Sequence, residues 1–252
     1  MKRLDFISKR VFFICSFSFL FFFNSCNKDN FVTENVCEYN NPYKHYGLFH
    51  NKLLGDLLKK TEGKALTPIE YKKAMESLFE DYPTIYKSDS LTIPDDTLVK
   101  GFSDCLKDNF YEMTLAYYQK GYINDVVKDK MIEFSMLIEK IKLEGVTDEN
   151  LMYENLVIFE NNIVNDNNIS KENKETLLIF TAVTKESFKF WIDYYTQQGL
   201  YAKIPFWHIL FVAGADGITL AGCMIFTGVA GLGVSGPMAV IISGLAGHVL
   251  NN

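Results

Sequence analysis

The last fifth of this 252-residue chain places the strongest constraint on its fold. From Phe206 to Leu250 the sequence has one formally charged side chain, Asp216, and nine glycines. Glycine costs about 1 kcal/mol relative to alanine inside an exposed helix. Close helix–helix approach is the usual compensation, because small residues let two backbones touch. The segment Gly231–Pro237 then predicts a turn between two apolar arms.

Three structures are compatible with this apolar segment, residues 206–252. It can form a buried helical hairpin around which other helices pack, insert into a bilayer, or form an extended glycine-rich loop. The arm after Pro237 has only 13 residues up to Leu250, whereas a bilayer-spanning helix needs about 20. Asp216 adds about 2.5–3.5 kcal/mol at the centre of a spanning helix unless it is paired. Length and charge therefore favour the buried glycine-rich apolar hairpin.

Residues 41–205 have the pattern of helices and almost no strand pattern. Apolar residues recur at helical spacing after Asn41, which can cap a helix, and Pro42. The sequence TPIE at Thr67–Glu70 is a capping box with proline at the first helical position. The patterns also predict long helices over Leu98–Tyr117, Thr147–Phe159 and Lys171–Gln198, and an Asn-rich turn over 161–170. The sequence predicts an all-α fold: one acidic domain of about six helices with a single core.

The N-terminus has the pattern of an export signal. Four basic residues precede Val11–Phe23, which is apolar apart from two serines. This run is too short for a bilayer-spanning helix but fits the apolar region of a secretory signal. The sequence FNSC, ending at Cys26, resembles the lipobox of bacterial lipoproteins. The resemblance implies that residues 1–25 are a signal peptide, that Cys26 is lipidated, and that residues 26–40 form a polar tether.

An uncleaved N-terminal anchor is the alternative, and under either hypothesis the chain is exported and tethered. Asn27 follows Cys26, whereas Asp at this place often marks retention at the inner membrane, so the resemblance favours the outer membrane. Each buried CH₂ of an acyl chain contributes about 0.8 kcal/mol, so several chains together anchor stably. Without residues 1–25 the net charge is about −9. We therefore expect membrane attachment through acylated Cys26, an envelope protein as candidate partner, and no nucleic-acid partner.

Three cysteines remain beyond Cys26, at positions 37, 105 and 223. Exported proteins meet an oxidising compartment, and Cys223 lies in an apolar run, so Cys37–Cys105 is the predicted disulfide; unpaired core cysteines are the alternative. The sequence has no CxxC, HExxH or Cys/His cluster. We therefore expect no metal and no cofactor, and we assign no catalytic residue.

Two short elements resemble marks of an uncharacterised group of bacterial lipoproteins. The first is G-x-x-H-N, formed by Gly47, His50 and Asn51, and the second is the glycine-rich tail with Ala215–Asp216. The resemblance implies that His50 and Asp216 are neighbours and form a buried polar pair. A hydrogen bond from His50 to Asp216 would explain the lone charge in an apolar run. The alternative is a solvated Asp216 that caps the helix following it.

Two triplets resemble the Asp-Ser/Thr-apolar acceptor of an O-glycosylation system found in some Gram-negative anaerobes. They are Asp89–Leu91, centred on Ser90, and Asp96–Leu98, centred on Thr97. Both lie in or beside a segment flanked by prolines. The resemblance therefore implies Ser90 and Thr97 as candidate glycosylation sites.

Taken together, these patterns predict a non-enzymatic, lipid-anchored protein of the cell envelope with an interaction or structural role. The rival hypothesis is a membrane-active protein, toxin-like or bacteriocin-like, that acts through its glycine-rich tail. A hydrolase built around His50 as general base is a third hypothesis, and it requires an open cleft with a nucleophile beside His50.

Overall fold

Residues 38–82, 91–228 and 233–249 are described by the computed structural model, and they form helices and loops without a strand. The signal peptide, Cys26, Cys37 and Ser90 lie outside the described residues. The described residues fall in one compact unit, Glu38–Asn252, which contains residues of both predicted segments, 41–205 and 206–252. The predicted all-α, single-domain fold is therefore confirmed.

Nine α-helices and one 3-10 turn (Tyr201–Lys203) are present within these ranges. The helices are α1 (Lys44–Lys60), α2 (Pro68–Asp81), α3 (Asp96–Ser103), α4 (Phe110–Gln119), α5 (Asp125–Glu144), α6 (Glu149–Asn165), α7 (Lys171–Gln197), α8 (Phe206–Thr227) and α9 (Ser235–Val249). Seven of them lie between residues 41 and 205, where the sequence predicted about six.

Polar side chains fix where most of these helices begin. At α2 the Thr67 hydroxyl accepts from the Glu70 N–H, and the Glu70 carboxylate accepts from the Thr67 N–H, which confirms the predicted capping box. Single side-chain caps start five further helices: Asp95, Asn109, Asn124, Asp148 and Ser170 each accept from a backbone N–H in the first turn. Each cap satisfies an N–H that has no partner within its helix.

Three predicted boundaries were wrong for local reasons. The predicted helix Leu98–Tyr117 is two helices, α3 and α4, because Asn109 caps a new start after residues 104–108. Asp148, not Thr147, caps α6. Helix α6 also continues to Asn165, into the predicted Asn-rich turn, because Ile163 extends its buried face.

Helix α8 lies at the centre of the domain. Every residue from Ile209 to Cys223 is buried, and α8 packs against α4, α5, α7 and α9. Helix α1 packs against α7 and α9. The apolar segment is therefore helical, and the extended-loop alternative was wrong. The link between α8 and α9 includes residues 229–232, which are outside the described ranges, so the predicted hairpin stays a prediction.

Close backbone approach compensates for glycines in these helices. A Cβ added to Gly217 of α8 would lie 2.8 Å from the carbonyl oxygen of Phe180 in α7. A Cβ added to Gly47 of α1 would lie 2.7 Å from the carbonyl oxygen of Ala182, also in α7. Both distances are too short for any side chain. Helices α1 and α8 therefore contact α7 directly through its backbone.

Substituting two helical glycines should change stability in opposite directions. Gly217→Ala forces a Cβ against a backbone oxygen that cannot rotate away, so we expect a loss of about 1–3 kcal/mol. Gly55→Ala, the matched control in α1, places its Cβ 3.6 Å from Phe190 Cε2, an ordinary contact, and should gain up to about 1 kcal/mol from helix propensity. Urea unfolding of the chain from residue 27 onward, followed by circular dichroism, measures both. Equal stability of Gly217→Ala and wild type would contradict the packing described.

Candidate functional site

A polar cluster lies inside the apolar core around Asp216. This residue is in the middle of α8 and its side chain is fully buried. Two side chains of α7 donate hydrogen bonds to Asp216 Oδ2: the Ser187 hydroxyl, and Trp191 Nε1 at 3.2 Å. The single charged residue of the apolar segment therefore has two hydrogen-bond donors within the core.

The structure brings His50 of α1 to the same carboxylate. His50 Nε2 lies 4.0 Å from Asp216 Oδ2, and both side chains have no exposed surface. The two residues are therefore buried neighbours, but the predicted hydrogen bond between them is absent, because 4.0 Å is too long for one. The imidazole is oriented from its other side, where His50 Nδ1 is 3.2 Å from Asn51 Oδ1. Asn51 Nδ2 in turn donates to the carbonyl of Glu186 at 2.8 Å. The alternative of a solvated Asp216 capping a following helix was wrong, because Asp216 is buried inside α8.

Burial dominates the electrostatics of this cluster. It raises the pKa of the Asp216 carboxyl, although His50, Ser187, Ser243 and Trp191 each act to lower it. The Ser243 hydroxyl of α9 faces the same carboxyl. Among the described residues, His50 Nε2, Asp216 Oδ1 and Ser243 Oγ are buried and have no hydrogen-bond partner. The cluster is therefore only partly satisfied, which makes it sensitive to any change in its members.

The geometry of the cluster differs from that of a nucleophile and its base. In nucleophilic catalysis the hydroxyl contacts the base, and a third group orients the base. Here the Ser187 hydroxyl donates to the carboxylate of Asp216, not to His50. His50, Ser187 and Asp216 also have no exposed surface through which a substrate could approach. We therefore interpret the cluster as a structural centre that joins α1, α7, α8 and α9.

A second polar network fixes the start of the domain, and we call it the N-terminal latch: Glu38, Asn41, Glu160 and Lys185. Lys185 Nζ donates to Glu160 Oε2 at 2.7 Å and to Glu38 Oε1 at 2.9 Å. Asn41 Nδ2 donates to Glu160 Oε1 at 2.6 Å. Glu38 Oε1 also accepts from the Tyr153 hydroxyl at 2.7 Å. Residues 38–41, which include the end of the predicted tether, are thus bound to α6 and α7.

The charges of the latch stabilise one another. Burial acts to raise the pKa of Glu38, but hydrogen bonds from Tyr153 and Lys185 outweigh it, so the pKa is lowered. Glu160 is fully buried and Lys185 nearly so. Sequence reasoning missed both residues. The available signal was a charged residue on a buried stripe, since Glu160 is at helical spacing from Leu156 and Ile163.

A groove of about 1200 Å³ runs between the second halves of α1 and α7. The 3-10 turn, the start of α8 and Gly247 of α9 complete it. Its lining includes four aromatic residues of α7, of which Phe190 and Tyr194 are partly exposed and Trp191 and Tyr195 are buried. Three lysines and three acidic residues also line it: Lys52, Lys59, Lys203, Asp56, Glu62 and Asp193. The sequence did not reveal this groove.

The groove and the latch lie at different places along the same helix pair. Helices α1 and α7 run parallel, because Gly47 lies against Ala182, Gly55 against Phe190 and Gly63 against Tyr194. The latch holds the chain just before α1 begins, whereas Gly55 lies eleven residues into α1 from Lys44, roughly 16 Å along the helix axis. The latch therefore lies at the start of α1, and the groove lies towards its end.

The remaining predicted sites are only partly within the described chain. Cys105 and Cys223 are buried, and neither forms a disulfide with another described residue. Burial raises the pKa of the Cys105 thiol to about 11 and that of Cys223 to about 12. Cys37 lies outside the described residues, so the Cys37–Cys105 disulfide stays a prediction. Thr97 is exposed in the first turn of α3, and its glycosylation also stays a prediction.

Comparison of the chain with protein-family models, with curated protein sequences and with solved structures gives no match in any of the three. The described residues also contain no group of three or more His, Cys, Asp or Glu side chains placed to hold a metal ion. The described residues thus define an all-α domain with a polar cluster at its centre, a latch at residues 38–41 and a large groove beside α1 and α7.

The raised pKa of Asp216 predicts how stability changes with pH. Because the folded-state pKa lies above the ordinary value of about 3.9, the stability that the protonated carboxyl contributes is complete below that value and is lost as pH rises through the folded-state pKa. Wild type should therefore lose stability relative to Asp216→Asn as pH rises from about 4. Urea unfolding of both proteins at pH values between 4 and 8 measures the difference.

Asp193→Asn removes an exposed carboxyl from α7 and is the control for the loss of one charge. A stability difference between wild type and Asp216→Asn that stays constant across this pH range, or moves the other way, would show that burial does not dominate at Asp216.

Proposed function

We propose that this protein is a lipid-anchored component of the cell envelope, attached to the outer membrane through acylated Cys26, and that its helical domain binds another envelope component and catalyses no reaction. The lipobox-like sequence FNSC and the short apolar leader support the anchor. The groove supports a binding role, because it is a large concave surface lined by aromatic, amide and charged side chains. The acidic net charge argues against attachment through anionic lipid headgroups.

The observation that carries this proposal is the N-terminal latch. Glu38 lies twelve residues after Cys26, and an extended chain of that length reaches at most about 43 Å. Lys185 and Tyr153 hold Glu38 on α7 and α6, so the domain cannot move further from the bilayer without releasing the latch. Under this proposal the anchor limits how far the groove, further along α1, can lie from the membrane.

Metabolic labelling tests the anchor. Cells that express the full chain and are fed an alkyne-tagged palmitate should incorporate the tag, and mass spectrometry should find a mature N-terminus at Cys26. Cys26→Ala should abolish labelling, because no thiol remains for the lipid. Cys37→Ser is the matched control, since it removes a cysteine eleven residues away and should keep the label. An intact Met1, or a mature end without acyl groups, would overturn the anchor.

A second candidate function is membrane activity, and one observation favours it. Helix α8 has 22 residues and a mean hydropathy of 2.0 over its most apolar window, so it is long and apolar enough to span a bilayer. In the folded domain 83% of that window is buried. Insertion would therefore require α8 to leave its contacts with α7 and α9 and to separate Asp216 from Ser187 and Trp191.

Dye release separates the two candidates. Membrane activity predicts that the chain from residue 27 onward releases a trapped dye from phosphatidylethanolamine–phosphatidylglycerol vesicles, and that deletion of Phe206–Asn252 abolishes the release. Lipid-anchored binding predicts intact vesicles at the same protein concentrations. Bovine serum albumin is the control for non-specific leakage. Absence of release at both neutral and acidic pH would end the second candidate.

A further inference from the structure

Gly55 is a glycine that helix packing does not explain. It lies in the middle of α1, where glycine costs about 1 kcal/mol relative to alanine. At Gly47, about two turns earlier in α1, an added Cβ would lie 2.7 Å from the carbonyl oxygen of Ala182, so no side chain fits. At Gly55 the nearest atom to an added Cβ is Phe190 Cε2 at 3.6 Å, an ordinary contact. Packing against α7 therefore leaves room for a larger side chain at Gly55.

The room beside Gly55 is part of the groove. Gly55 lines the groove beside Phe190, so the missing side chain leaves the Phe190 ring facing open space. Phe190 and Tyr194 are one turn apart on α7, and their ring planes differ by only 11° with centroids 6.2 Å apart. The two rings thus form a nearly parallel aromatic pair along the groove. Glycine is the residue found where a backbone must let a ligand come close.

The remaining lining of the groove restricts the chemistry of a ligand. Its three lysines and three acidic residues give no net charge. A fatty acyl chain would have to desolvate these charged groups, which is costly, and a polyanion would meet three carboxylates. The groove also presents side-chain amides from Asn51, Gln197 and Gln198, each with donors and an acceptor. Burial lowers the pKa of His208, which favours a neutral imidazole with one donor and one acceptor.

We propose that the groove binds a neutral oligosaccharide, with the C–H face of a sugar ring packed on Phe190 and Tyr194 and its hydroxyls hydrogen-bonded to the amides and carboxylates. The groove volume of about 1200 Å³ exceeds the roughly 300–1,000 Å³ of pockets for drug-sized ligands, so an oligomer fits better than a single sugar. An extended peptide usually adds to a sheet edge, and a helical peptide uses an apolar groove. The described residues form no sheet, and the six charged side chains of this groove do not suit the apolar face of a helix.

This proposal rests on the binding role proposed above and names its ligand class, but it is independent of lipidation. Groove residues and Cys26 are separate in the sequence, so the labelling experiment and a glycan titration can fail independently. Loss of the palmitate label with retained glycan binding would overturn the anchor and leave the groove assignment intact. Retained label without glycan binding would overturn the groove assignment alone.

Tryptophan fluorescence provides the test. The chain has two tryptophans, and Trp207→Phe leaves Trp191, whose ring centroid lies 5.6 Å from that of Phe190 and 5.4 Å from that of Tyr194. The chain from residue 27 onward, which includes the whole compact unit, is titrated with chitotetraose, cellotetraose and maltotetraose. We expect a saturable change in Trp191 emission with at least one of them, and a matching heat signal by calorimetry.

Two kinds of variant assign the binding to the groove. Phe190→Ala and Tyr194→Ala should each weaken binding by about tenfold, equivalent to about 1.4 kcal/mol. Gly55→Leu should block binding while the protein stays folded, because its Cβ fits and only its side-chain end enters the groove. Tyr111→Ala, which removes an exposed aromatic of α4, is the matched control and should bind as wild type does. No saturable signal with any of the three glycans, unchanged affinity in folded Gly55→Leu, or binding of an unstructured peptide pool alone would each overturn the proposal.

Discussion

The burial of one carboxyl group in the middle of α8 is the constraint on which the arrangement of the core depends. A helix that is apolar on all sides has no polar face to define its rotation, and α8 is buried over its whole central length. Asp216 removes this ambiguity, because its Oδ2 atom accepts from Ser187 and Trp191 of α7 and lies 4.0 Å from His50 Nε2 of α1. Rotation of α8 by one residue would take the carboxyl away from both of these donors. The cost of burying a charge therefore defines one orientation for helices that hydrophobic contact alone would not orient.

Glycine makes the same arrangement possible at short range. Gly217 of α8 and Gly47 of α1 bring two helices onto the backbone of α7, so that the Ser187 hydroxyl can reach Asp216 and His50 can lie within 4.0 Å of it. Larger residues at these positions would separate the helices and leave the buried polar groups apart. The glycines and the buried carboxyl therefore act together. The glycines allow α1 and α8 to approach the backbone of α7, and the polar atoms determine the rotation of each helix about its axis.

The sequence was informative where a local pattern determines structure and uninformative where distant segments meet. The TPIE capping box and the length of α7 could be predicted, since both depend on residues a few positions apart. The break between α3 and α4 was missed because apolar spacing continues across it and only Asn109 marks the new start. Asn41 was read as a helix cap, yet its amide reaches Glu160, 119 residues away, which no local pattern predicts. The groove depends on the parallel alignment of α1 and α7, so only the fold reveals it.

The latch also has a mechanical consequence. A pull on the chain from upstream of residue 38 first reaches Glu38, before the first turn of α1. Side chains of α6 and α7 receive this load through Tyr153 and Lys185, and Asn41 passes a further share to Glu160. Helix α7 is the longest in the described chain and is embedded in the core. The force is therefore distributed over α7 and does not unfold α1 turn by turn from its first residue.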